Sequence, residues 1–457
     1  MPRRNPLKPA GRAIERLVGC DVHEGEWRLV LLFFANLFLL LTAYYILKVI
    51  REPLILLGGG AVSRSYARGM QAGLLVVVIP AYSALANRIE PARLVTWIMG
   101  LFVASLAVFF AVARAGGPVG FAFFVWLGIF STLSIAQFWS LANDIMTEAE
   151  GKRLFPLIAV GGTIGGIAGA QIAARAIGRF SPQHLMLVAA GLLTVCMALT
   201  FASHGAGLGH RVRVPSGHSK ERDRRGGFTL VVRDRYLLLI GLSVIVLNVV
   251  TATSDFIVAQ LVSAKAQTMA ASARHHFVAS FYGDFQTWVS VLTAGVQIVV
   301  VARVFKVLGV ETALFLMPVL AIAGYGAATV LPVLGLVTFV KAVESCTDYS
   351  LENTIQQALF LPTSRDAKYK AKSAIDTASK RLGDLVSMVM VFVGIRAGFK
   401  VLGFAVMNVA AGLIWLWLTV HLRRRRHALA ARMSAPPSPE AVSHGASDGN
   451  DPFTAVA

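Results

Sequence analysis

Charged residues are scarce in this chain of 457 residues, because Asp, Glu, Lys and Arg together make up only 15% of it. A soluble globular domain carries about 25% of such residues. Cysteine is also rare, and Cys20, Cys196 and Cys346 are too far apart for a metal-ligand spacing or a disulfide framework. The composition therefore disfavours a soluble enzyme, a disordered chain and a coiled coil.

Several chemical motifs are absent as well. No G-x-x-x-x-G-K-[ST] sequence occurs, so the chain lacks the phosphate-binding loop of nucleotide-driven pumps. None of the ten histidines belongs to an H-E-x-x-H zinc motif, and no catalytic constellation is visible. We therefore expect a protein that is not an enzyme and that holds neither a metal nor a cofactor.

Long apolar runs are what the chain has in abundance. Hydrophobic residues make up 56% of it, and the mean hydropathy is +0.66. A helix needs about 20 apolar residues to cross a bilayer, and about twelve runs of this kind are present. They cover residues 27–49, 70–86, 94–113, 119–142, 154–177, 185–202, 236–262, 277–301, 312–331, 332–360, 375–395 and 401–420. The predicted fold is an all-α polytopic membrane protein with two six-helix halves.

The distribution of Lys and Arg predicts the orientation. With the N-terminus inside, 31 of the 43 basic residues fall in inside segments, so both termini are expected in the cytoplasm. This asymmetry accounts for much of the net charge of +19 and leaves nucleic-acid binding without support. The predicted segments are a cytoplasmic N-terminal segment 1–28, bundles 29–203 and 236–422 joined by a basic cytoplasmic linker 204–235, and a tail 423–457.

A local repeat supports the two halves. Residues 138–145 read FWSLANDI and residues 348–355 read DYSLENTI, so Asn143 and Asn353 match at an offset of 210. Asn36 and Asn248 stand in comparable positions in spans 1 and 7. Parallel repeats of this kind are the architecture of major-facilitator transporters, which bind substrate between the halves near the bilayer midplane.

Span 10 carries four ionisable residues at spacings i, i+3, i+7 and i+11: Lys341, Glu344, Asp348 and Glu352. They fall within an arc of roughly 80°, so one face of the helix is charged. Such groups cost about 2.5–3.5 kcal/mol each in a bilayer, so they are expected to face a partner or a water-filled cavity. A cavity-lining role and a purely structural set of salt bridges both satisfy this requirement.

Other charged or small residues within spans admit two interpretations each. Asp255 in span 7 and Asp284 in span 8 are candidate proton or ion sites, or helix caps. Lys48, Arg51 and Glu52 close span 1, as an anion-attracting cluster or as interfacial anchors. In span 5 glycines recur every fourth residue, which favours close helix packing. They are Gly161, Gly165 and Gly169, with Gly162 and Gly166.

Three segments resemble the ATP/ADP translocase family, the nucleotide transporters of plastids and intracellular bacteria. The first is FWSLANDIMTEAEGKRLFPL at residues 138–157. The second, at residues 348–376, combines Tyr-Ser-Leu with D-x-K-x-K-x-K-x-A-I-D, and the third is YYILKVIREPL at residues 44–54. The family's exchangers carry cations where this chain has Asp348 and Gln356.

The resemblance implies a secondary transporter that exchanges nucleotides or a related phosphorylated anion by alternating access. Its partners would be the lipid bilayer and the anion, and a monomer is possible. The alternatives are a proton-coupled carrier of another small solute and a membrane scaffold that transports nothing. The residues expected to bind substrate are Lys48, Arg51, Asn143, Lys341, Glu344, Asp348 and Asn353, and those expected at cytoplasmic gates are Lys152, Arg153, Lys368, Lys370, Lys372 and Asp376.

Overall fold

The computed structural model describes residues 26–434, apart from 87, 90, 211–223, 361–362 and 364–370. Within these residues the chain is helical and contains no strand, which confirms the predicted all-α membrane fold. Twelve helical passes alternate in direction, and we number them spans 1–12 in chain order. The first helix, Trp27–Ala86, holds spans 1 and 2, and spans 3–6 are Pro91–Arg114, Gly120–Ile145, Glu148–Ala176 and Pro182–His210.

The second set of passes is less regular. Spans 7 and 8 are Arg235–Gln267 and Ala271–Val299, and a short helix, Arg224–Arg233, precedes them. Span 8 continues through Val301–Val307 to a turn at Gly309, whose φ is 70°, and span 9 consists of Gly309–Ala313 and Leu316–Val330. Span 10 runs through Leu334–Thr347, a π-turn Asp348–Glu352 and Asn353–Leu359. Span 11 joins Lys372–Ala374, a π-turn Ile375–Ser379 and Lys380–Arg396, and span 12 is Val401–Ser434.

Eight of the described helices are long and apolar enough to cross a membrane on their own. The first of them, 60 residues long, contains two passes. Spans 8, 10 and 11 are not among the eight. Span 8 carries several polar side chains, and the helices of spans 10 and 11 are interrupted and therefore short.

Span 1 reverses into span 2 at Gly60, whose φ of 70° and ψ of −174° are accessible to glycine almost alone. The salt bridge between Glu52 and Arg64 demonstrates the reversal, since its atoms lie 2.7 Å apart. Twelve residues of straight helix would separate these positions by about 18 Å. The turn places span 2 at residues 61–86, well before the predicted start at residue 70.

The glycine row of span 5 packs directly on the backbone of span 1, as the spacing predicted. A Cβ atom added at Gly165 would lie 2.2 Å from the carbonyl oxygen of Phe38. One added at Gly169 would lie 2.3 Å from the oxygen of Thr42. The absence of side chains therefore lets the two helices touch, which is how small residues act at helix interfaces in membranes.

Spans 1 and 3–6 share one hydrophobic core, and spans 7–12 share another near the face where span 1 begins. We name this face the linker face and the opposite one the far face. At the far face a third core joins Ile55, Ala67 and Phe124 to residues of the second half, such as Phe256 and Tyr325. The halves are thus packed together at the far face. The residue boundaries of the predicted segments remain predictions.

Candidate functional site

A cavity of about 350 Å³ lies between the two halves. Its lining side chains come from spans 1, 2, 4, 7, 8, 10 and 11, so both halves contribute. Seven of these side chains are cationic and four are carboxylates, which leaves an excess of three positive charges. The cations are Lys48, Arg51, Arg64, Arg68, Lys341, Lys380 and Arg381, and the carboxylates are Glu52, Asp255, Asp348 and Asp384.

The cavity is closed towards the far face by contacts between the halves. A Cβ atom added at Gly283 of span 8 would lie 2.5 Å from the Cβ of Ala174 in span 5. Gln171 of span 5 also donates a hydrogen bond to Thr287 of span 8, at 2.8 Å. Towards the linker face the lining residue Tyr349 is 56% exposed, so the cavity reaches solvent on that side.

A compact salt-bridge cluster closes the far end of the cavity. The buried Glu52 accepts hydrogen bonds from both Arg51 and Arg64. The guanidinium of Arg51 also lies 4.0 Å from the ring centre of Phe124, and that of Arg64 lies 5.9 Å from that of Tyr282. One carboxylate and two aromatic faces therefore hold both cations in place.

Arg68 of span 2 connects the two halves through two carboxylates. One of its terminal nitrogens donates to Asp255 of span 7, and Nε donates to Asp384 of span 11 at 2.9 Å. The three side chains are only 11–25% exposed, so these charge-assisted bonds are partly shielded from water. They form an ionic bridge between spans 2, 7 and 11.

Lys341 extends the same network into the second half. Its ammonium lies 3.1 Å from Asp255 and 3.3 Å from Glu344, and it donates to Ser254 Oγ at 2.8 Å. Glu344 also accepts a hydrogen bond from the Tyr325 hydroxyl. Lys341 and Glu344 are 3% and 4% exposed. This buried lysine is therefore fully paired, as a charge inside a membrane bundle requires.

Three cavity cations stand apart from these networks. Lys48 donates to the amide oxygen of Gln286 at 2.7 Å, and its ammonium lies 5.0 Å from the centre of the Tyr45 ring. Both of these partners are neutral. Arg381 approaches Asp384 only at 4.0 Å, and its buried Nε has no acceptor among the described residues. Among the same residues, Lys380 forms no salt bridge within 4.0 Å.

Known proteins resemble the chain in sequence and in fold. The ADP,ATP carrier protein 1 of Chlamydia muridarum is 23% identical over 433 residues, which cover 79% of this chain and 81% of the carrier. The nucleoside transporter NupG, solved as a D323A mutant, superposes with a TM-score of 0.61 at 12% identity and covers 88% of this chain and 99% of its own. A bacterial homologue of the iron transporter ferroportin gives a TM-score of 0.64 at 10% identity, over 87% and 99%. No family model matches the chain.

The chain resembles the ADP,ATP carrier of Chlamydia muridarum in sequence and shares its fold with these solved transporters. The sequence similarity carries the relation to the carriers, and the superpositions show the fold alone. This relation agrees with the sequence motifs of spans 1, 4 and 10.

The cavity between the halves contains part of the predicted site. Lys48, Arg51, Asp255, Lys341 and Asp348 all line it. Glu344 lies behind Lys341 and is not among the lining residues. Glu352 is buried outside the lining and accepts a hydrogen bond from Gln356 at 3.4 Å. The charged face of span 10 therefore points only in part into the cavity, because the π-turn rotates Glu352 away.

Other predicted substrate residues lie elsewhere. Asn143 and Asn353 are exposed on the linker-face ends of spans 4 and 10, outside the cavity lining. Asp284 is exposed on span 8, where Gln171 donates to it at 3.4 Å. Arg51, expected to attract the anion at the cavity mouth, instead lies at the closed end and binds Glu52.

The predicted gate residues that the structure describes lie at the linker face. Arg153 forms a salt bridge with Glu26 at 2.7 Å, and Lys152 precedes it on span 5. Lys372 donates to Gln357, and Asp376 is half-buried in the π-turn of span 11. Lys368 and Lys370 lie outside the described residues.

Sequence reasoning missed five of the eleven charged residues that line the cavity. Arg64 and Arg68 belong to the segment read as a loop before span 2, although their i, i+4 spacing already fits one helix face. Lys380, Arg381 and Asp384 fall within the predicted run 375–395 but were not among the expected site residues. A search for charges spaced by one helical turn, both inside and outside the apolar runs, would have found both groups.

Proposed function

We propose that this protein exchanges phosphorylated anions of the nucleotide type across the cell membrane by alternating access. The single observation that carries this proposal is the cavity between the halves, whose lining has three more cations than carboxylates. Its volume lies within the range of small-molecule sites, about 300–1,000 Å³. The sequence relation to the ADP,ATP carrier of Chlamydia muridarum favours a nucleotide among anions.

The charge of the cavity suits an anion with several negative charges. Four of its cations already share two carboxylates, Glu52 and Asp255, and the remaining three have no close carboxylate partner. A di- or triphosphate would supply the missing negative charge, and Arg and Lys bind phosphoryl oxygens through charge-assisted hydrogen bonds. Aromatic rings of Tyr349 and Phe285 line the same space and offer a surface for a base.

The bound anion would be released when the halves rock about the cavity. In the present conformation the linker face is open, and we propose that it is the cytoplasmic face, since the basic residues concentrate there. Opening of the far face requires the Arg68 bonds to Asp255 and Asp384 to break, together with the packing of Gly283 on Ala174. These contacts lie on the far side of the cavity, so a carrier that alternates between two conformations can break them while the linker face closes.

The test is uptake of labelled ADP into liposomes that contain the purified protein and are loaded with ADP or ATP. We expect exchange that Lys341→Gln reduces at least tenfold, since this change leaves Asp255 and Glu344 without their shared cation. Lys400→Gln is the matched control, because Lys400 is exposed and does not line the cavity. Absence of exchange with any nucleotide would refute the proposed substrate class.

A proton-coupled carrier is the second candidate, and one observation favours it. Asp348 lines the cavity but forms no salt bridge with any described residue. A carboxyl of this kind can bind and release a proton during transport. Under this alternative an uncoupler abolishes uptake, Asp348→Asn abolishes the proton dependence, and no counter-substrate is needed. Uptake that requires internal nucleotide and resists the uncoupler would reject it.

A further inference from the structure

The seven cavity cations divide into two groups by their partners. Arg51 and Arg64 share Glu52, and Arg68 and Lys341 share Asp255, so these four belong to neutralising networks. The other three are Lys48, Lys380 and Arg381, and among the described residues none of them has a carboxylate closer than 4.0 Å.

Neutral partners hold Lys48, and Arg381 keeps a donor without an acceptor among the described residues. Gln286 and Tyr45 fix the ammonium of Lys48 through a hydrogen bond and a cation–π contact. Arg381 has a buried Nε–H group that finds no acceptor in the described part of the chain. Buried donors are nearly always satisfied in native proteins, so an orphan donor on a cavity wall points to an acceptor that enters the cavity.

The three cations also come from opposite sides of the cavity. Lys48 belongs to span 1 in the first half, whereas Lys380 and Arg381 belong to span 11 in the second. We infer that Lys48, Lys380 and Arg381 form a two-sided anion subsite that must be filled before the linker face can close. This inference rests on the proposed function and adds to it both the binding residues and the reason for exchange.

The physical argument concerns the carrier without its anion. Closure of the linker face brings the halves together and removes water from between them. Like charges from the two sides then repel more strongly, because both the distance and the effective dielectric constant fall. Lys48 and Lys380 also lose hydration that no carboxylate of the described residues within 4.0 Å replaces, and Arg381 has Asp384 only at 4.0 Å. A bound anion removes both penalties, so the loaded carrier closes readily and the unloaded one does not.

This requirement makes the protein an obligatory exchanger. A carrier that cannot close without an anion cannot return unloaded to the other side. Each export of an anion must therefore be followed by the import of another. The chemical class of the ligand follows from the donors. A pair of adjacent phosphoryl groups has enough oxygens for two ammonium groups on opposite walls and for the planar fork of Arg381.

A conformational experiment tests the subsite without transport. Spin labels are placed at the exposed positions Asn143 and Asn353, on the linker-face ends of spans 4 and 10, in a chain whose native cysteines are replaced by Ala. Pyrophosphate is the probe. In the otherwise wild-type chain we expect the distance between labels to stay long without pyrophosphate and to shorten with it.

The decisive variant carries Lys48→Gln, Lys380→Gln and Arg381→Gln together. We expect its short-distance population without pyrophosphate to rise about tenfold, within the usual range of coupling between sites. Lys400→Gln is the control and should behave as wild type. A wild-type chain that ignores pyrophosphate, or a triple variant that stays open without it, would overturn the inference.

A transport experiment separates this inference from the proposed function. Liposomes loaded with labelled ADP are diluted into buffer with or without ADP, and the ratio of the two efflux rates is measured. We expect the triple variant to lower this ratio about tenfold, and the charge-preserving variants Lys48→Arg and Lys380→Arg to retain most of it. Wild-type exchange with an unchanged ratio in the variant rejects the subsite and leaves the proposed function intact. A wild type that exchanges no nucleotide rejects the proposed function, and the spin-label experiment still decides the subsite.

Discussion

The bridge from Arg68 to Asp255 and Asp384 is expected to hold the far face closed, and its removal has a calculable consequence. Arg68→Gln removes the cation and leaves a shorter, neutral polar side chain. Asp255 retains Lys341 at 3.1 Å, whereas Asp384 retains only Arg381 at 4.0 Å. The far-face contact between the halves therefore loses two charge-assisted bonds and gains a poorly paired carboxylate.

The size of the effect follows from the burial of these groups. Breaking a fully buried ion pair costs about 3–5 kcal/mol, whereas an exposed pair contributes about 0–1 kcal/mol. The side chains of Arg68 and Asp384 are 25% and 11% exposed, so they fall between these limits. We expect a loss of about 1–3 kcal/mol from the closed far face, which is about 5–150-fold in the conformational equilibrium.

Thiol accessibility at the far face measures this equilibrium. Ala174, which packs against Gly283 between spans 5 and 8, is replaced by Cys in a chain without other cysteines. A membrane-impermeant maleimide added from the far side should react about 5–150-fold faster in the Arg68→Gln chain. Arg179→Gln removes an exposed cation outside the cavity and serves as the control. An unchanged rate in Arg68→Gln would refute the idea that this bridge holds the far face closed.

Two further predictions concern packing and pairing within the bundle. Gly165→Ala places a methyl group 2.2 Å from the Phe38 oxygen and should lower the free energy of unfolding by about 1–3 kcal/mol. Gly191→Ala is the control, because its methyl group meets open space and should not lower it. Thermal melting in detergent measures both variants. Tyr325→Phe removes the hydroxyl that donates to Glu344 and should cost about 1–3 kcal/mol, because a buried carboxylate loses a donor. A melting temperature equal to that of wild type in Tyr325→Phe would show that Ser254 and Lys341 satisfy Glu344 without it.

The sequence predicted the fold because the relevant signals are local. An apolar run of membrane length predicts a span wherever it occurs, and the glycine spacing of span 5 predicts a close neighbour whatever that neighbour is. The turn at Gly60 escaped prediction, because a polar stretch between two apolar runs reads as a loop even when it is helical. That error removed Arg64 and Arg68 from the predicted site.

Sequence reasoning could not predict which charged residues pair with each other, and the reason is different. Lys341 and Glu344 are three residues apart, so helix geometry alone brings them together. Arg68 and Asp384 are 316 residues apart, and no local pattern connects them. The same holds for Lys48 and Gln286, which are 238 residues apart.

By itself, the amino-acid sequence determined that this chain spans a membrane with many helices and that costly charges lie within its spans. Hydropathy and helical period are properties of a single helix, so the linear sequence is enough to detect them. Only the tertiary structure decided which charges neutralise one another and which face the cavity unpaired. That choice depends on distances between side chains from different helices, which packing alone sets.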